Sequence, residues 1–187
     1  MRIRGSKLKE LASQAGISVE QLAGAIVEPG LSAADAESAI KNWMAGRDHP
    51  RCKAKTISKL AEVLSVQVKD LARFTSKVNG HRGSPRKAGL LAALIRGKNI
   101  DQAINLLTFT PQKAAVNIKK ALNAAIADAE LADADVTALF VSESRVDGGP
   151  VLKRFQPKDR GRAHPILKPI SNITVSVEER PSKTGAR

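Results

Sequence analysis

The sequence contains no tyrosine, one tryptophan, four phenylalanines, one cysteine and three histidines in 187 residues. Each scarcity removes a class of function. With Trp43, Phe74, Phe109, Phe140 and Phe155 as the only aromatics, there is too little planar surface for a single-strand binder built on base stacking. The lone Cys52 cannot form an internal disulfide, which fits a reducing cytosol, and "HPRC" around it lacks metal-ligand spacing. His49, His81 and His164 are scattered, and no glycine-rich phosphate loop, nucleophile elbow or HExxH pattern accompanies them. No catalytic residue, metal or cofactor is therefore expected, and the chain does not read as an enzyme. Long apolar runs are missing too. "MRIRGSKLKELASQ" has no signal core, and no stretch of about eighteen apolar residues exists, so neither secretion nor membrane spanning is expected.

Negative charge is also short. Thirty-one Lys and Arg face 18 Asp and Glu, a formal charge of +13 with pI near 10.2, which points to a polyanionic partner. The excess is uneven: residues 1–75 hold 12 basic and 8 acidic side chains, residues 76–187 hold 19 and 10. The length suits one ordinary domain or two small ones.

Periodicity changes near residue 75. Before it, only helices are read. Leu8, Leu11 and Ala15 form a stripe ending at Gly16, able to take the left-handed cap. Ser18 and Gln21 make a capping box for a helix through Leu22 and Ile26. "EPGLS" breaks the chain, and Ser32 caps a helix through Ala36, Ile40 and Trp43 that closes at Gly46. Thr56 starts another through Ile57, Leu60, Ala61 and Leu64, and a last one covers about Gln67 to Phe74. Five short helices with tight turns predict a compact bundle.

After "TSKVNGHRG", a short strand, Ser84 and Pro85 open a helix that Gly97 ends. A second helix runs from about Asp101 to Thr108. Thr110 and Pro111 repeat the start signal for a long helix to about Ala132, carrying Ile118, Leu122, Ala125, Ile126 and Ala129 on one face. The period then becomes two: "ALFVSESRV" and "NITVSVEE" read as strands, with Ile173, Val175 and Val177 alternating with Asn172, Thr174 and Ser176.

Between these strands lies "LKRFQPKDRGRAHPILK", residues 152–168, with six Lys or Arg against the single Asp159. It is most simply the far end of a hairpin. Arms of roughly fifteen residues span about 50 Å at ~3.3 Å per residue, whereas a body of about a hundred residues has a radius of gyration near ~13 Å. The outer half must therefore protrude. Pro157 and Pro165 remove ladder donors near the tip, and an isolated ribbon is marginal in water. A phosphate-rich partner would supply the missing stabilisation through counterion release. Gly148, Gly149 and Gly161 allow the ribbon to bulge or approach that partner closely.

"SPRKAGLLAALIRGK", "LTFTPQKAAVNIKKALNAAIADAE", "VDGGPVLKRFQPKDRGRAHPILK" and "NITVSVEER" resemble, in order and spacing, the large-subunit ribosomal protein twenty-two family. The resemblance covers about 75–180. It implies an α+β fold, three helices packed on a small antiparallel sheet with a long protruding hairpin over about 141–178. A small all-α domain at 1–74 precedes it, and 181–187 form a flexible tail. The family's role implies ribosomal RNA binding, assistance in subunit assembly and a tip lining the peptide exit tunnel, in the cytoplasm. Implied body contacts to RNA are Lys77, Arg82, Ser84, Arg86, Lys87, Arg96, Lys98, Lys113 and Lys120. Implied hairpin contacts are Lys153, Arg154, Lys158, Arg160, Arg162 and Lys168. Pro157, Lys158, Asp159, Arg160, Gly161, Arg162, Ala163, His164 and Pro165 would form the tunnel tip. Implied partners are ribosomal RNA, neighbouring large-subunit proteins and the nascent peptide, with no membrane and no small-molecule substrate. Gly89 and Asp159 depart from the family pattern, which has a basic and a small residue there. Many lysines and arginines with few aromatics suit RNA duplexes, which are read by shape and phosphate. Alone, Lys113, Lys119 and Lys120 read as a solvated helix face, and Phe155 suits cross-strand packing or base stacking equally.

Residues 1–74 resemble the helix-turn-helix domain of phage-repressor type, through "LKELASQAGISVEQLAGAI" and "NWMAGRDHP". That resemblance leaves a second reading, a DNA-binding transcriptional regulator. A recognition helix puts its first residues into the major groove, and here these are "SAADAES", where Asp35 and Glu37 would face phosphates while Lys41, Asn42 and Arg47 come too late. The expectation is a scaffold without sequence-specific readout, touching RNA or protein through Arg47, Arg51, Lys53 and Lys55, with Trp43 in its core.

Overall fold

The computed structural model describes residues 1–27 and 32–180. Most of the "EPGLS" break and the tail at 181–187 lie outside the described residues. The chain divides into two compact units, residues 1–74 with 128–134, and residues 75–127 with those from 135 onward.

The first unit contains β1 (Arg2–Ile3), α1 (Gly5–Ala15), α2 (Val19–Ile26), α3 (Ala33–Met44), α4 (Ala54–Val63), α5 (Val68–Leu71) and the start of β2 (Ala72–Arg82). Local chemistry sets its punctuation. The Gln21 amide donates to Ser18 Oγ at 3.3 Å and the Ser18 amide to Gln21 Oε1 at 3.0 Å, so two otherwise orphaned donors open α2 satisfied. Gly16, at φ 65°, closes α1, where any side chain would be strained. Helix α2 packs on α3 and α4, and α1 on α3, burying Leu8, Leu22, Ile40, Trp43, Ile57 and Leu60. A Cβ at Gly5 would overlap the Trp43 carbonyl, so backbone contact there requires glycine.

Three boundaries differ from the sequence reading. The α1 stripe is Leu8 and Ala12, with Ala15 exposed. Helix α4 starts at Ala54, leaving Thr56 buried inside its first turn. The last helix ends at Leu71, and Phe74 is buried in a strand. The cause of this last difference is non-local. Arg2 and Ile3 pair with Arg73 and Ala72, and the Arg4 amide donates to the Leu71 carbonyl at 2.8 Å. A ladder from the chain's start thus satisfies backbone groups that a longer helix would have satisfied locally.

The second unit is built on the rest of β2, with α6 (Pro85–Ile95), α7 (Ile100–Phe109), most of α8 (Lys113–Glu130), β3 (Leu139–Gly148), β4 (Leu152–Pro157), β5 (Ala163–Lys168) and β6 (Ile170–Glu179). Strand β6 lies between β2 and β3. Register puts Val141 opposite Val177 and Val146 opposite Ile173, with a bulge between Val141 and Glu143. Ile173, Val175 and Val177 therefore share one face, and α6 packs against both β3 and β6, adding Leu91 and Ile95 to the core. Ile118 and Leu122 of α8 are also fully buried, each contributing about 1.5–3 kcal/mol of burial energy. The polar positions of β6 are not solvated as simple alternation suggests: Thr174 and Ser176 are buried, because a central strand is flanked on both edges. Ser176 Oγ instead meets Thr75 Oγ1 at 2.9 Å.

Beyond Gly148 the ladder breaks. Three residues, Gly149 to Val151, oppose two, Pro169 and Ile170, between the paired ends of the two ladders. The chain then resumes as a separate two-stranded ribbon, β4 against β5, with Leu152 opposite Lys168 and Pro157 opposite Ala163. Thr110, read as the cap of α8, instead donates its hydroxyl to the Leu106 carbonyl at 2.6 Å and closes α7.

Candidate nucleic-acid interface

The turn Arg82-Gly83-Ser84 carries the chain from β2 into α6. It fits only because residue 83 has no side chain: a Cβ there would lie 2.5 Å from His81 Nε2. His81 is buried, and its Nδ1 lies 2.6 Å from Asn117 Nδ2 of α8. With the amide as donor, the ring proton sits on Nε2. Burial first, and the charge of Lys113 second, lower the pKa of this imidazole, so it is neutral at pH 7. The ring forms part of the wall of one of the two hollows beside the turn.

One hollow, of about 530 Å³, is lined by Arg82, Ser84, Lys87, Gln112 and Lys113 with His81 at its wall. The other, of about 360 Å³, is lined by Arg82, Ser84, Leu152, Arg154, Leu167 and Lys168. They meet at the turn. Ser84 occupies the N-cap position of α6, yet its side chain makes no capping bond, so its hydroxyl remains available to a ligand. Residues far apart in sequence, Arg82, Ser84, Lys87, Lys113, Arg154 and Lys168, thus converge on one surface. All five cations are exposed. The sequence reading missed His81, Gln112, Leu152 and Leu167; only the spacing of His81 from the "SPRK" start was available as a signal.

Other predicted contacts lie elsewhere. Arg96 donates from Nη2 to the Ser144 carbonyl at 2.6 Å, and the adjacent Gly97 amide and Lys98 carbonyl bond to Val141 at 2.8 and 2.9 Å. Arg96 thus has a structural role, while Lys98 is exposed beside it. Arg86, Lys77 and Lys120 are exposed on α6, β2 and α8. A side chain at Gly89 would meet open space, so nothing in the packing excludes the basic residue of the family pattern.

The ribbon is cationic on both faces. Register puts Lys153 with Leu167 and Phe155 with Pro165 on one side, Arg154 with Ile166 and Lys168 with Leu152 on the other, since cross-strand partners share a face. Phe155 is 75% exposed, too open for its contact with Pro165 to bury it. At the tip, the Lys158 amide donates to the Arg162 carbonyl at 2.7 Å and the Arg162 amide to the Asp159 carbonyl at 3.2 Å. Arg160 sits at φ 55° and Gly161 at φ 72°. Asp159 acts there through its backbone, and nothing in the structure explains its carboxylate.

The family model for ribosomal protein L22p/L17e matches residues 76–178. The chain belongs to that family. It is 46% identical over 106 residues to the large ribosomal subunit protein uL22 of Syntrophotalea carbinolica, an alignment covering 56% of this chain and 96% of that protein. It is 49% identical over 107 residues to the uL22 of Citrifermentans bemidjiense, covering 57% and 96%. The matched region contains both hollows and the whole ribbon; the helical residues before β2 lie outside it. Members of this family are structural rather than catalytic.

Proposed function

We propose that the chain is a structural constituent of the large ribosomal subunit in the cytoplasm, bound to ribosomal RNA through the surface around Arg82-Gly83-Ser84 and along the ribbon. The convergence of Arg82, Ser84, Lys87, Lys113, Arg154 and Lys168 on two adjoining hollows carries this reading. Exposed cations around an irregular surface suit phosphates and 2′-hydroxyls, with little demand for aromatic stacking. Residues 75–180 form the RNA-binding domain, residues 1–74 a helical extension. The hairpin protrudes, and its tip from Pro157 to Pro165 lines the peptide exit tunnel beside the nascent chain, with neighbouring ribosomal proteins as further partners. A ribbon whose two faces are both cationic fits enclosure by RNA better than attachment to one flat surface.

Co-sedimentation with large subunits through a salt-washed sucrose gradient tests the assignment; protein left entirely at the top would refute it. Deleting Lys158 to Pro165 tests the protrusion. The body should melt as before, and an unfolded body would make the tip part of the core. Asp35 in the first turn of α3 argues against the DNA regulator, because a recognition helix would bring that carboxylate against phosphate.

A further inference from the structure

The loop joining α3 to α4, residues 45–53, lies outside the region matched to the family and carries an unusual charge arrangement. Its backbone is held at several points. The Trp43 indole N–H donates to the Pro50 carbonyl at 2.7 Å, and the Gly46 and Arg47 amides donate to Trp43 and Asn42 carbonyls at 2.9 and 2.8 Å. Cys52 is 2% exposed and anchors the far end in the core. Asp48, the loop's only carboxylate, is occupied by Arg2, with Nε 3.3 Å from Oδ2.

What remains facing water is positive. Arg47, Arg51 and Lys53 on the loop and Lys55 in the first turn of α4 are all exposed, and among the described residues none is paired with a carboxylate. The first turn of α4 has no acidic residue. Elsewhere in this unit Lys7 pairs with Glu10 and Lys41 with Glu37, whereas no carboxylate among the described residues reaches the four cations gathered here. Four unneutralised cations on a restrained backbone lose less conformational freedom on binding than the same charges on a mobile tail. No large apolar side chain is exposed between Arg47 and Lys55, so the surface has no apolar centre of the kind protein interfaces bury.

We infer that the α3–α4 loop is a second RNA-docking surface, gripping phosphodiester backbone through Arg47, Arg51, Lys53 and Lys55 without reading bases. This rests on the RNA-binding reading of the second unit. The first unit then adds affinity by tethering rather than by sequence recognition, as linked sites do.

The test uses the full chain and a transcript of large-subunit ribosomal RNA, with binding measured from low to high KCl. In the variant R47Q/R51Q/K53Q/K55Q the slope of log K against log salt should shrink by about 3, at ~0.7–0.9 for each phosphate no longer neutralised. The charge-conserving R47K/R51K should keep the wild-type slope. A ribbon variant, K153Q/R154Q/K168Q, should shrink the slope by about 2 independently. A wild-type slope for the loop variant beside a reduced slope for the ribbon variant would overturn the inference and leave the RNA reading standing. Wild-type slopes for both would overturn the RNA reading itself. A loop variant that binds naked RNA normally but is released from protein-containing subunits would overturn the inference in favour of an acidic protein partner.

Discussion

Replacing Gly83 by alanine should destabilise the second unit, and the sign of the effect is the informative part. Gly83 is not among the positive-φ glycines, and at such a position alanine normally stabilises by about 0.4–1 kcal/mol through the unfolded chain. Here the added Cβ would lie 2.5 Å from His81 Nε2 and 3.0 Å from Cδ2, so the ring must retreat by about 1 Å, an overpacking that costs about 1–3 kcal/mol. Retreat is opposed by the 2.6 Å contact of the other ring nitrogen with Asn117. Breaking it leaves buried polar groups unpaired, at about 1–3 kcal/mol. A net loss of about 2 kcal/mol should lower the thermal midpoint of the unit by about 5–10 °C, read by circular dichroism on the full chain. RNA affinity should fall as well, since the same turn positions Arg82 and Ser84. In a His81→Ala background, Gly83→Ala should become neutral or stabilising. An unchanged or raised midpoint in the wild-type background, or a penalty that persists without His81, would refute the reasoning.

Arg96→Gln should cost about 1.5–3 kcal/mol of stability by releasing the Ser144 carbonyl, whereas Lys98→Gln should stay within about 0.5 kcal/mol and weaken RNA binding only. Thermal melts beside RNA titrations separate the two. The Cys52 thiol, pushed up to about 12 by burial and secondly by Asp48, should react slowly with a disulfide reagent at pH 8 in the native chain and rapidly in denaturant. Because the folded state holds that proton more tightly, stability should fall as pH rises above the usual thiol range, and Cys52→Ala should remove that slope. For His81 the sign is opposite. Its lowered pKa means the unfolded chain binds the proton better, so stability should fall as pH drops below about 6.5, and His81→Gln should flatten the decline in denaturant melts.

Local signals were legible wherever a residue acts on its own neighbours. The Ser18 box, the Gly16 cap, the Pro85 start and the heptad-like stripe of α8 need only a few adjacent positions, and each is present in the structure. Period-two alternation on both sides of one basic stretch marked the strands that form β3 and β6. Illegible were features set by a distant partner. The conversion of Ala72 to Phe74 from helix to strand depends on Arg2 and Ile3. The reassignment of Thr110 depends on the carbonyl it finds at Leu106, and the burial of Thr174 and Ser176 on their place in the central strand.

The same division holds for the candidate site. Composition and pattern by themselves determined that this chain is strongly basic and poor in stacking aromatics, because those properties belong to the residues whatever their arrangement. They also supplied the cations of the interface. Only the tertiary structure decided which of them lie together: Arg154 and Lys168 come beside Arg82 and Ser84, and these beside Lys87 and Lys113, because β2 pairs with β6 and the ribbon springs from the end of that sheet. Charge is a property of a side chain, but a gathering of charges on one surface is a property of distances, and those arise from pairings between strands far apart in sequence.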